Sequence, residues 1–318
     1  MRVVVTGGAG FIGSHLVDRL MSDGHEVTVI DDLSSGNLNN LSRWLDNPRF
    51  RFLKADLSIR GEWEKGFEGA EVVYHLAANP EVRVSSTAPE IHYRSNVQAT
   101  FNVLEASRIM DVKLVVFASS STVYGEAKVL PTPEEYYPLE PISVYGASKL
   151  ASEVFLGTYS RLYNIRGVSL RLANVVGPRS THGVIFDFVN KLSRNPKELE
   201  ILGDGSQRKS YIHVSDVIEA TVKVTEYMLR TGTRYEVFNI GSEDSVTVVE
   251  IADLVVEAMG LKDVKYVFKP MTVDGRGWPG DVKTMLLDIS KIKKLTGWNP
   301  RYNSREAIRE TLKWFLAR

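Results

Sequence analysis

The eight residues Thr6-Gly7-Gly8-Ala9-Gly10-Phe11-Ile12-Gly13 constrain this chain more than any other stretch. They follow a short β-branched run, Val3-Val4-Val5, and lead into a stretch of helical periodicity, so the glycines sit where a strand turns into a helix. Gly7, Gly10 and Gly13 each have a separate task there. One allows the tight turn, one lets the backbone approach a pyrophosphate, and one lets helix and sheet pack closely, with the helix N-terminus facing the phosphates.

Short apolar runs recur at residues 2–6, 26–30, 50–55, 72–75, 114–118 and 167–172, separated by helix-like stretches such as 12–23 and 96–110. Strands that are apolar without alternating suit a parallel sheet buried on both faces. The expected fold is α/β: a doubly wound parallel sheet of the Rossmann type with helices on both sides. Beyond about residue 175 the rhythm breaks at Gly177-Pro178, Asn195-Pro196, Gly203-Asp204-Gly205 and residues 274–280, which reads as a smaller lobe. A helix-like segment at 214–229 and a strand-like one at 235–240 resume the first pattern. The expected division is residues 1–175 plus 210–242 for the dinucleotide domain, and 176–209 plus 243–318 for a discontinuous α/β substrate-binding domain.

Lys+Arg 39 balance Asp+Glu 39, so no global charge points to nucleic acid or an anionic membrane. No apolar run approaches the roughly 20 residues of a membrane helix. Without a leader-like segment at the start, a cytoplasmic location is expected. The absence of cysteine excludes disulfides, thiolate metal sites and a cysteine nucleophile, and the six histidines lack ligand spacing, so no metal is expected.

The second strand ends at Asp31-Asp32, about twenty residues past the glycine turn. A carboxylate there accepts hydrogen bonds from the adenosine ribose and repels a 2′-phosphate, so NAD is expected over NADP. Asp56-Leu57 follows the third strand, where a carboxylate can meet the adenine amino group. Leu76-Ala77-Ala78 follows the fourth, where small residues let a dinucleotide lie against the strand ends. Each of these two stretches alone also suits an ordinary turn.

Tyr145 and Lys149 stand i, i+4 at the start of a helical stretch, which places phenol and ammonium on one face. A neighbouring cation favours the phenolate, so Lys149 is expected to lower the Tyr145 pKa and make it a proton acceptor and donor. The fifth strand ends in Ala118-Ser119-Ser120-Ser121-Thr122-Val123-Tyr124-Gly125, a group of hydroxyls where open α/β sheets bind ligands.

With these pieces in this order, the sequence resembles the extended short-chain dehydrogenases/reductases that modify nucleotide sugars, most closely the UDP-glucose (UDP-galactose) 4-epimerases. The resemblance spans essentially the whole chain. It rests on TGGAGFIGSH, Asp31-Asp32, Asp56-Leu57, His75-Leu76-Ala77-Ala78, Asn96, SSSTVYG, Tyr145 with Lys149, Asn174, GDGSQRKSYIHVSD, FNIGS and the terminal PGD, LDISK and GW.

That resemblance implies that Gly7, Gly10, Phe11, Ile12 and Gly13 cradle the pyrophosphate of NAD and that Asp31 holds its ribose, with Asp32, Ser34 and Gly36 nearby. Asp56 and Leu57 would meet the adenine, and Leu76, Ala77, Ala78, Asn96 and Ser119 would line the rest. Ser120 would be the catalytic hydroxyl, Tyr145 the base and Lys149 its partner. Thr122, Asn174, Val184, Gly203, Arg208, Lys209, Tyr211, Arg276, Asp281 and Met285 would hold a UDP-sugar.

The sequence departs from the family where Lys209 and Trp278 replace arginines, and where Pro80, Leu172 and Ala173 replace bulkier or charged neighbours of the cofactor. Met285 stands where the family limits bulk at the sugar 2-substituent, so UDP-glucose and UDP-galactose are expected, with N-acetyl sugars as further substrates. A 4,6-dehydratase or decarboxylase of the same scaffold would carry a carboxylate after the catalytic hydroxyl, where this chain has Ser121 and Thr122. A 4-keto-reductase would favour NADP, and a non-catalytic sensor would have no use for Ser120, Tyr145 and Lys149 together. The family pairs through helices, so a homodimer is expected, with Val97, Phe101, Leu104, Leu150, Val154, Leu156 and Tyr159 as its apolar material.

Overall fold

The computed structural model describes residues 1–317. In chain order the strands are β1 (Arg2–Thr6), β2 (Glu26–Asp31), β3 (Phe50–Lys54), β4 (Val72–His75), β5 (Leu114–Ser120), β6 (Arg166–Leu172), β7 (Asn174–Val176), β8 (Glu198–Leu202), β9 (Arg208–Lys209), β10 (Tyr211–His213), β11 (Tyr235–Ile240), β12 (Val246–Thr247), β13 (Lys265–Lys269) and β14 (Thr284–Met285). The helices are α1 (Phe11–Ser22), α2 (Glu90–His92), α3 (Ala99–Ile109), α4 (Val144–Leu162), α5 (Val184–Arg194), α6 (Val214–Thr231), α7 (Val248–Ala258), α8 (Ser290–Thr296) and α9 (Ser304–Leu316).

Seven strands form one sheet in the order β3-β2-β1-β4-β5-β6-β11, with every pairing parallel. This is the doubly wound sheet expected from the apolar runs. Successive side chains of a strand point to opposite faces. Val3, Val5, Val27, Val29, Val72 and Tyr74 accordingly join one core with Leu16 and Leu20 of α1 and Val217 and Val224 of α6. Val4, Ile30, Val73, Val115 and Phe117 join the other, with Val103 and Leu104 of α3 and Leu156 of α4. Because both faces are covered, these strands have no polar side to show, which explains their unbroken apolar character.

The strand order reverses between β1 and β4. Connections leaving those two strands run to opposite faces, and a crevice opens at their carboxyl ends. The glycine turn after β1, the Leu76-Ala77 segment after β4 and the serines ending β5 all reach that crevice.

A third core belongs to the smaller lobe. Ile185, Phe188 and Leu192 of α5 pack with Leu199 and Ile201 of β8, Ile251 and Val255 of α7, and Ile308 and Leu312 of α9. Three small sheets frame it: β13-β8, β10-β7 and β12-β9-β14. Ile289, Ile292 and Trp298, although within the segment 243–318 read as second lobe, pack into the first core, and Trp298 Nε1 donates to the Asp216 carbonyl at 3.1 Å. Asn239 of β11, fully buried, stitches the same region together. Its amide donates to the Thr132 and Asp288 carbonyls at 2.9 and 3.0 Å and accepts from Tyr124 Oη at 2.7 Å. Among the described residues no helix is long and apolar enough to cross a membrane.

Candidate active site

The glycine turn is built as its spacing predicts. Gly7 has φ 69°, and a Cβ on it would lie 2.7 Å from the Ala77 nitrogen, so only glycine lets the turn rest on the end of β4. A Cβ on Gly13 would lie 2.1 Å from the Gly7 carbonyl oxygen. Gly10 caps α1 without any side-chain acceptor, which leaves the first-turn N–H groups open to an anion. At the end of β2, Asp31 is buried and accepts from Ala9 N at 3.0 Å and Leu33 N at 2.8 Å. Burial pushes its carboxyl up from the ordinary value, and the two N–H groups oppose that shift. A Cβ on Gly36 would lie 2.9 Å from Asp31 Oδ1, so the bare glycine keeps the carboxylate approachable. This cradle, uncapped helix and oriented carboxylate fit a dinucleotide.

The remaining cofactor candidates are less uniform. Asp32 caps its own turn, accepting from Ser34 N and Oγ at 2.8 and 2.6 Å. Asp56 accepts from Ser58 N at 2.8 Å and stands 3.8 Å from Arg94, while Leu57 is buried and its carbonyl receives the Asn102 amide at 2.8 Å. Leu76, Ala77 and Ala78 are half-buried along the crevice.

Asn96 sits in a π-helical segment, Tyr93–Gln98, and anchors a buried polar chain. Its Oδ1 accepts from Asn79 N at 2.8 Å, its Nδ2 donates to Ser148 Oγ at 2.9 Å, and Ser148 Oγ donates to the Tyr145 carbonyl at 2.7 Å. His75 extends the chain between the Thr6 and Thr100 hydroxyls at 2.7 and 2.9 Å; burial drives its pKa down to about 3, which keeps it neutral.

Ser143 caps α4 by accepting from Gly146 N at 3.0 Å and so sets the helix turn that presents Tyr145. Ser120 Oγ accepts from Thr122 N and Oγ1 at 3.2 and 2.9 Å and lies beside the Tyr145 phenol, where it favours ionisation. The Lys149 ammonium donates to the Ala118 carbonyl at 2.8 Å. The expected lowering of the Tyr145 pKa by Lys149 is corrected here. Burial raises Tyr145 to about 12 and lowers Lys149 to about 7, because a low-dielectric site disfavours both charged forms.

Ser120, Thr122 and Tyr145 line one side of a cleft of about 630 Å³, which Phe11 and Ile12 also border. Asn174, Val184, Lys209, Tyr211, Asp281 and Met285 line it as well. Val184 opens α5, whose N-cap Gly183 makes no side-chain capping bond, so a second helix N-terminus is left without a side-chain acceptor beside the cleft.

Three of the substrate-binding candidates do not line the cleft. Arg208 and Lys209 are successive residues of β9 and take opposite faces; Arg208 donates to the Ser245 carbonyl at 3.1 Å and pairs with Glu250 at 3.6 Å. Arg276 is held by Asp274 at 2.6 Å, by Glu126 and by the Asp281 carbonyl. Gly203, at φ 92°, supports from behind: a Cβ would strike the buried Gln207 amide at 1.9 Å.

Sequence reasoning missed several participants. Glu153 of α4, one turn beyond Lys149, accepts from the Ser119 hydroxyl and forms a buried ion pair with Arg171 at 2.7 Å. His92 meets the Tyr145 ring edge-on with centroids 5.6 Å apart. Arg83 and Gln207 line the cleft. The i+8 spacing of Glu153 from Tyr145 was a usable signal for the first, but the placement of Arg83 depends on a loop with no pattern of its own. Among the described residues no cluster of His, Asp and Glu is arranged to hold a metal ion.

Comparison with known proteins agrees with this geometry. Residues 3–241 match the family described as NAD dependent epimerase/dehydratase. The chain is 36% identical over 318 residues to a putative UDP-glucose 4-epimerase of Methanocaldococcus jannaschii, covering 98% of this chain and 97% of that one. It is 35% identical to the UDP-glucose 4-epimerase of Mycolicibacterium smegmatis, covering 99% and 98%. A solved UDP-galactose 4-epimerase shares 48% identity and superposes with a TM-score of 0.88, covering 100% of this chain and 99% of that one. With the fold, the glycine cradle and the hydroxyl cluster in place, the chain belongs to the NAD-dependent epimerase/dehydratase family.

Proposed function

We propose that this protein inverts carbon 4 of a UDP-hexose, interconverting UDP-glucose and UDP-galactose. The observation that carries this reading is the convergence of Ser120, Thr122 and Tyr145 on the same cleft as Asn174, Lys209 and Tyr211, with Phe11 and Ile12 of the glycine-turn motif at its border. NAD, when bound, supplies the hydride acceptor and donor and a positively charged ring that favours the phenolate.

The chain's own groups then do the following. Tyr145 takes the proton of the sugar 4-hydroxyl and returns it to the same oxygen. Ser120 holds that oxygen by a hydrogen bond and favours ionisation of the phenol. Lys149, fixed on the Ala118 carbonyl 5.8 Å from the ring centre, does not set the resting pKa of Tyr145, and its positive charge acts on the phenolate only as the proton leaves. The second lobe holds the nucleotide, which does not react, so binding energy resides there while the sugar is left free to turn. Ser121 and Thr122, rather than carboxylates, follow Ser120, which argues against elimination of water.

The lobes of this proposal are residues 1–175 plus 210–242 and 176–209 plus 243–318, with 287–298 leaning on the first. A homodimer through α3 and α4 is part of the reading. Phe101, Val154, Phe155 and Leu162 are exposed there, at 40, 61, 36 and 68%, and Phe101 and Phe155 pack edge to face. Leu104, Leu156 and Tyr159 support the patch from within the core instead. The cytoplasmic location also belongs to the proposal.

The test is conversion of UDP-galactose by purified protein without added reductant. UDP-glucose is the expected product, and its absence from protein that retains NAD overturns the reading. Sedimentation at micromolar concentration decides the dimer.

A further inference from the structure

A nucleoside diphosphate brings two or more negative charges into a cleft whose own lining is not basic. Three carboxylates, Glu81, Asp187 and Asp281, face two permanent cations, Arg83 and Lys209. Lys209 is already committed, its ammonium 2.5 Å from the buried Asp281 carboxylate. The other arginines near this end, Arg208 and Arg276, are tied up outside the lining.

Arg83 is differently placed. It stands on a 3-10 turn of the first lobe, Val82–Ser86, and reaches across to the second, where its guanidinium carbon lies 5.9 Å from the centre of the Trp278 ring. Lys209 approaches the same indole at 5.7 Å. Glu81 grips Arg83 with both oxygens, receiving Nε and Nη2 at 2.9 Å each. That two-point hold fixes the plane of the fork, and Nη1 has no hydrogen bond among the described residues. The side chain is half-exposed, so a ligand can reach it.

We propose that Arg83 is the diphosphate-gripping residue of this cleft, donating from Nη1 across the gap between the lobes, with Trp278 as the surface that holds it in place. The inference rests on the nucleotide-sugar reading and names the oriented donor, left over from the pair with Glu81, that the diphosphate would meet. A guanidinium held in advance loses little freedom on binding, and its charge-assisted bonds to phosphate oxygens are stronger than neutral ones.

The experiment compares wild type, Arg83→Gln and Arg83→Lys by calorimetric binding of UDP and of uridine, alongside steady-state turnover of UDP-galactose. Arg83→Gln is expected to weaken UDP roughly ten- to hundredfold while uridine changes less than about twofold, as loss of one charged hydrogen bond predicts. KM should rise with kcat nearly constant, and Arg83→Lys should recover part of the UDP affinity, keeping the charge but not the planar fork. Equal loss for UDP and uridine would reduce Arg83 to a wall of the cleft, and unchanged UDP binding in the variant would remove it from the site. Wild type that binds neither ligand overturns the nucleotide-sugar reading itself, a distinct result.

Discussion

Lys149 Nζ donates to the Ala118 carbonyl at 2.8 Å and stands 5.8 Å from the centre of the Tyr145 ring. The ammonium is thus held by the carboxyl end of strand β5 rather than by the phenol. The i, i+4 spacing puts both groups on one helix face, but the strand end decides where the charge rests. Burial of that charge, and of the phenol beside it, makes the resting site electrostatically unfavourable, a common feature where groups are arranged for chemistry.

Stability should register that arrangement. Burial lowers Lys149 from 10.5 to about 7. Between those values the unfolded chain binds a proton that the folded chain does not, so this group's contribution to stability rises with pH across the window and is least favourable below it. Lys149→Met is expected to be inactive yet to melt higher than wild type on the acid side of neutrality, with the advantage shrinking as pH is raised toward the ordinary lysine range. Thermal melts across that range check it. A variant that melts lower at every pH would mean that the bond to Ala118 outweighs the cost of the buried charge.

Tyr145→Phe removes one oxygen from an otherwise enclosed ring that packs against His92. Turnover of UDP-galactose should fall by about 10²- to 10⁴-fold, the range associated with loss of a positioned acid–base group. NAD content after purification and the melting temperature should stay close to wild type, because the glycine turn and Asp31 are untouched. Undiminished turnover would take the proton-transfer role away from this residue.

Much of the fold was legible in the sequence because its cause is local. Strands β1, β2, β4 and β5 are buried on both faces, so burial itself writes an apolar run, and the turn after β1 needs glycine for reasons confined to a few atoms. The tyrosine, lysine and serine were legible by spacing. Other features depend on distant partners and leave no local trace. Arg208 and Lys209 are adjacent cations in the sequence, and only the pairing of β9 with β12 and β14 decides which one turns to the cleft. Ile292 and Trp298 lie late in the chain yet pack into the first core, because Trp298 finds the α6 carbonyl of Asp216. Arg83 was illegible in part for the same reason: Glu81, which grips it, is only two residues away, but the Trp278 ring it faces at 5.9 Å lies in the other lobe.

Gly13→Ala tests the cradle on purely steric grounds. The added methyl would lie 2.1 Å from the Gly7 oxygen, inside contact distance of rigid backbone, whereas the closest contact for a methyl on Gly10 is 3.2 Å. Gly13→Ala must therefore push α1 away from the turn. Loss of NAD from the purified protein and a lower melting temperature are expected, with Gly10→Ala milder in its effect on stability. Full NAD content in Gly13→Ala would show that α1 can move without cost to the cofactor.

Met285 offers a test of sugar choice. It is buried beside Lys209 in the parallel pairing of β14 with β9, its carbonyl receives Ser210 N at 3.0 Å, and its side chain lines the cleft. The backbone at this position is therefore fixed, and a substitution changes the bulk of the wall without moving it. An unbranched thioether can fold away from a 2-acetamido group, whereas a planar phenol cannot. Met285→Tyr is expected to leave UDP-galactose turnover near wild type and to reduce kcat/KM for UDP-N-acetylglucosamine by about tenfold or more, the scale on which pocket shape discriminates. Met285→Ser should move the ratio the other way. Assaying both sugars with each variant separates the readings: if the ratio does not change in either, Met285 does not face the sugar 2-position.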